Sequence, residues 1–140
     1  MNRVIKPFAG LVLLWAVAVP VCFADETETQ SPQDKWGVEI VMLRTTAQGY
    51  MVDFRYRVTD PEKSKPILSR NTKPYLVDQK TGTNIRVATS RFGSMRQTTT
   101  APATNRIYTV LFTNPGQTIK KGDKVTIVMG DLKIEDVAVN

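Results

Sequence analysis

From Gly49 to Thr59 the chain reads GYMVDFRYRVT, and its bulky apolar side chains recur at every second position. Tyr50, Val52, Phe54, Tyr56 and Val58 share one parity; Met51, Asp53, Arg55, Arg57 and Thr59 share the other. A helix would spread those five large residues around its circumference, whereas an extended chain places them all on one face. The stretch is therefore predicted to be a strand with the five apolar residues in the core. Its opposite face, Asp53, Arg55 and Arg57, is either solvated or one wall of a binding surface, and alternating charges of this kind also pair across a sheet.

The remaining chain reads as shorter β-prone runs separated by turn residues. WGVEIVMLRT, from Trp36, alternates imperfectly because Val41 and Leu43 interrupt the apolar parity, and Ala47-Gln48-Gly49 is short enough for a hairpin into 50–59. Asp60-Pro61 ends that strand, and Asp60 can cap one helical turn over 61–65, with nothing longer expected. Pro74–Asp78 and Asn84–Val87 flank a turn containing Gly82, a second hairpin. MRQTTT, residues 95–100, is predicted as a polar strand, and RIYTVLFT, residues 106–113, as a well-covered central one. KVTIVM and LKIEDVAV close the chain, and a parity slip near Glu135-Asp136 suggests a bulge. No run carries the helical period that a βαβ unit needs. These readings predict an all-β fold, an immunoglobulin-like β-sandwich of seven to eight short strands, with a small closed barrel as the alternative. Tyr108, early in a late strand, is a candidate tyrosine corner.

The N-terminal 24 residues read as a secretory signal peptide. Arg3 and Lys6 precede the apolar run Phe8–Phe23, and Ala24 precedes the polar DETETQ. That run of 16 residues is shorter than the roughly 20 needed to span a bilayer, and Val19-Pro20-Val21 before Cys22 is a poor match to a lipidation signal. Cleavage after Ala24 predicts a periplasmic or secreted protein without cysteine. It leaves 17 basic residues against 13 acidic, a net charge of +4. Residues 25–35 read as a flexible arm and 36–140 as the folded domain.

Composition excludes several chemistries. With no histidine, and its one cysteine inside the leader, the mature chain lacks the usual zinc and copper ligand sets and both the Ser-His-Asp and Cys-His arrangements. Its methionines read as core filler. No loop has the spacing of a calcium site, so no metal or cofactor is expected. Asp53, Asp60, Asp78, Asp123, Asp131 and Asp136 are loose candidates for a hydrolytic carboxylate pair, but most sit at turns, where aspartate binds backbone amides. The chain is read as non-enzymatic.

The most asymmetric charge run lies between Arg86 and Arg106: four arginines, including Arg91 and Arg96, and no acidic residue. With Arg55 and Arg57 these form a candidate partner-binding set suited to an acidic envelope protein, an anionic glycan or anionic headgroups. Nucleic acid is not expected at this net charge without a recognition motif, nor a membrane span after processing. The phrases DFRYRV-DP, KPYLVD-TG and YTVLFTNPG-KKGDKV resemble those of small exported bacterial β-sandwich proteins without assigned activity, over Trp36 to Val139. The resemblance implies an exported binding module of the cell envelope. The alternatives are an assembly subunit acting through an exposed strand edge, for which MRQTTT and the 25–35 arm are candidates, and a carboxylate hydrolase.

Overall fold

The computed structural model describes residues 31–140. The leader assigned to residues 1–24 and the first part of the polar arm lie outside them. The described chain runs α1 (Pro32–Trp36), β1 (Val38–Thr46), β2 (Met51–Val58), α2 (Pro61–Leu68), β3 (Tyr75–Asp78), β4 (Asn84–Arg86), β5 (Thr89–Ser90), β6 (Gly93–Ser94), β7 (Ile107–Thr113), β8 (Lys124–Met129) and β9 (Leu132–Ala138).

β2 is the middle strand of the sheet β1-β2-β7, antiparallel to both neighbours. Val52, Phe54, Tyr56 and Val58 are each at most 1% exposed, as the alternation predicts. Burying side chains of this size is worth about 1.5–3 kcal/mol each before conformational entropy is charged. The rings of Phe54 and Tyr56 stack at 5.4 Å, and Tyr56 meets Tyr108 of β7 at 6.1 Å. Tyr50 departs from the expectation, being 57% exposed. Ala47, Gln48 and Gly49 all have positive φ, so the chain turns there, and Tyr50 closes that turn through its N–H to Ala47 O before β2 begins. The broken pattern of β1 also has a local cause. The pairing slips between Ile40 and Met42, which leaves Val41 exposed and moves the buried parity from Val38 to Leu43.

The second sheet has the order β4-β3-β8-β9. The β3–β4 hairpin forms with Gly82 at φ 70°, and β9 carries its bulge where the parity slipped, with Asp136 at φ 56°. β5 and β6 form a separate two-stranded ribbon. Apolar faces of both larger sheets enter one core with Ile67 and Leu68 of α2. The sheets are stitched at one side by a Val87–Phe112 bridge and at the other by Asn140 N–H donating to Leu43 O.

The fold is therefore a mixed α/β domain, with two helices packed against small sheets. It is not the all-β, immunoglobulin-like β-sandwich of seven to eight strands, and the resemblance to exported β-sandwich proteins fails with it. The first physical reason lies in α2. Asp60 accepts hydrogen bonds from the N–H groups of Glu62 and Lys63, and Pro61 occupies the first turn, as the cap pattern predicts. The helix nevertheless continues past Pro66 to Leu68, because Ser64, Ile67 and Leu68 all bury. Tertiary burial outweighs the backbone bond that Pro66 cannot make. The second lies in residues 95–100, which form no strand. Met95 O accepts from Leu111 N, and Gln97 N donates to Thr109 O, so this segment is spent along β7 in isolated contacts. It is no free edge for assembly.

Candidate functional site

Between the α2–β3 connection, the β3–β4 edge and the β5–β6 ribbon lies an open cleft of about 1080 Å³. Its first wall is residues 70–74, which bring Arg70, Thr72 and Lys73. Its floor is Tyr75 of β3 with Asn84, Arg86 and Val87, and its far wall is Phe92, Gly93 and Ser94 of the ribbon, closed by Arg96 and Thr98. Arg70, Lys73 and Arg86 are exposed and pair with no carboxylate among the described residues. No Asp or Glu lines the cleft. Phe92 stands at the ribbon's turn, 86% exposed, with the Arg91 guanidinium 4.6 Å from its ring centre. An exposed phenyl beside exposed cations combines an apolar face with charge.

Arg96 is built differently from the other cations. Its guanidinium donates to Thr72 O at 2.6 Å and Ser69 O at 2.5 Å. Burial lowers its pKa from the usual arginine range, opposed by the nearby Tyr56; the Tyr56 hydroxyl is in turn pushed up, chiefly by burial. Arg96 thus anchors the 69–72 segment that forms one wall, and Thr72 Oγ1 donating to Pro66 O fixes the same segment to α2.

The six arginines singled out from sequence do not converge. Arg86 and Arg96 line the cleft, and Arg91 stands beside it on Phe92. Arg55 is spent on the buried Asp53, at 3.0 Å, with Arg44 also 3.9 Å from that carboxylate. Arg57 pairs with Glu39 across the β1–β2 ladder at 3.1 Å, and Arg106 lies over the Tyr108 ring. Arg55 and Arg57 of β2 are thus both engaged with carboxylates, and the mixed α/β architecture overturns a binding module built on a β-sandwich. Arg70 and Lys73 are the cations that sequence reasoning missed. A signal for them exists: from Lys63 to Val77 the chain has four basic residues and no acidic one.

Of the candidate carboxylates, Asp60, Asp78 and Asp123 join Asp53 in being occupied elsewhere. Asp60 caps α2; Asp78 accepts from Lys80 N–H and the Thr81 hydroxyl; Asp123 accepts from Lys120 N–H and pairs with Lys80 at 2.8 Å. Lys80 and the Lys120 amide hold the Asp123 carboxyl below its usual range. Tyr108 accepts the Ala103 N–H at 3.2 Å, a local hydrogen bond formed here without a sandwich. Among the described residues no cluster of three or more His, Cys, Asp or Glu could hold a metal, and no helix is long and apolar enough to cross a membrane. Comparison with protein-family models, with curated proteins and with solved structures finds no significant match.

Proposed function

We propose that this mixed α/β domain binds an anionic ligand in the cleft between residues 70–75, β4 and the β5–β6 ribbon, holding it without chemical turnover. The observation that carries this reading is three exposed cations, Arg70, Lys73 and Arg86, that pair with no carboxylate among the described residues, around a cleft whose described lining has no acidic residue. Phe92 and Tyr75 add apolar ring surface for the uncharged part of the ligand. Attraction at such an exposed site is screened by salt over about 8–10 Å, so affinity falls as ionic strength rises.

The test is an amide-resolved NMR titration with a galacturonate trisaccharide. Shifts are expected to cluster at 70–75, 84–87 and 92–96, and the K73E/R86E variant should lose at least about tenfold in affinity, equivalent to 1.4 kcal/mol. R57E serves as the control, since Arg57 is engaged with Glu39 away from the cleft. Unchanged affinity in K73E/R86E, or shifts centred on β1 and β2, would refute the assignment.

A further inference from the structure

We infer that the ligand is an extended acidic glycan chain occupying two adjoining subsites, an inference that rests on the anionic-ligand reading above. A second cleft of about 580 Å³ adjoins the first, sharing Arg70 and Thr98 with it, and continues along Lys65, Asn71, Thr99 and Thr100. Arg70 and Thr98 belong to both linings, so a chain leaving the first cleft past them enters the second. The second lining is again without an acidic side chain, and its polar groups are mainly hydroxyls and an amide. Hydroxyls and amides both donate and accept, which matches the hydroxyls of a sugar, while Arg70 matches its carboxylates and Lys65 reaches them by exchanging its exposed pair with Glu62, 2.7 Å away. An acidic peptide fits less well. Peptides commonly recognise sheets by adding a strand, but the chain that follows β4 is already bridged to β7 through Val87 and Phe112. Phe92 supplies the apolar surface on which a pyranose ring stacks.

Two linked subsites make the second contact intramolecular, so affinity rises with chain length until both are filled. The experiment compares galacturonate trisaccharide and octasaccharide by calorimetry on the wild type and on K65A/N71A, both substituted positions being exposed. The expected result is an octasaccharide bound at least tenfold tighter than the trisaccharide, with K65A/N71A removing that gain while keeping trisaccharide affinity and the melting temperature. Equal affinity for the two lengths, or a gain that survives K65A/N71A, overturns the second subsite while the first cleft stands. A polyglutamate octapeptide bound as tightly as the octasaccharide overturns the glycan assignment. Absence of trisaccharide binding to the wild type overturns both readings.

Discussion

Asn114→Ala probes the most heavily bonded buried side chain in the described domain. Asn114 has no solvent exposure, and its amide joins two connections far apart in sequence. Nδ2 donates to Gly49 O and Ile119 O, each at 2.8 Å, while Oδ1 accepts from Ile119 N–H at 3.0 Å and the Thr118 hydroxyl at 3.3 Å. Truncation to alanine leaves three backbone groups without their partner. A buried group left unpaired costs about 1–3 kcal/mol; the lower half of that range for three groups, eased by entering water, gives about 3–5 kcal/mol. That is a large share of the about 5–15 kcal/mol that holds an ordinary domain together. At about 4 °C per kcal/mol, the melting point should fall by about 12–20 °C. Urea unfolding followed by Trp36 fluorescence would show the midpoint move at constant slope. N114D sharpens the test, because the introduced carboxylate would face two carbonyl oxygens where the amide donated. Its protonated form is favoured on folding, so its folded pKa lies above the unfolded value of about 3.9. That variant is therefore relatively most stable below pH 4 and loses stability as pH rises through the folded pKa. A loss below about 1 kcal/mol in N114A, or an N114D as stable as wild type at pH 7, would refute the bridging role.

Three further substitutions test other parts of the structure. R96K keeps the charge but cannot fork to both Thr72 O and Ser69 O; it should cost about 1.5–3 kcal/mol and raise hydrogen exchange across 69–73 before the rest of the domain opens. G37A places a Cβ 2.6 Å from the Asp60 Cβ and carbonyl oxygen, at φ +61°; the left-handed backbone alone costs about 1–2 kcal/mol, so a thermal melt unchanged from wild type would contradict the close approach of α1 to the α2 cap. For D123N the sign follows from a folded pKa below the unfolded one: the carboxylate's contribution is full above the unfolded value and disappears as pH falls through the folded value. Wild type should therefore exceed D123N in stability at neutral pH and converge with it below about pH 4 in acid titration.

What short-range pattern could dictate, it did. The period-two run put Val52, Phe54, Tyr56 and Val58 inside; the short connections at 47–49 and around Gly82 paired their flanking strands; Asp60 capped α2; the parity slip marked the bulge at Asp136. Each depends on neighbours a few residues apart, where side-chain alternation and turn chemistry act directly. The tertiary structure decided the rest. Whether a helix begun at Asp60 could run past Pro66 depended on a core waiting for Ile67 and Leu68, built by strands from both ends of the chain. Whether residues 95–100 became a strand depended on what β7 had left to bond. The arginines of β2 were legible as charges but not as spent charges, because their partner carboxylates include one on the neighbouring strand. The cleft was the least legible, since Arg70 and Lys73, Arg86 of β4, and Phe92 come from three separate segments that only the packing of α2 and the ribbon beside the β4 edge brings together. A sequence pattern specifies which face of an element is buried; only long-range contact determines what it is buried against, and which charges remain outside.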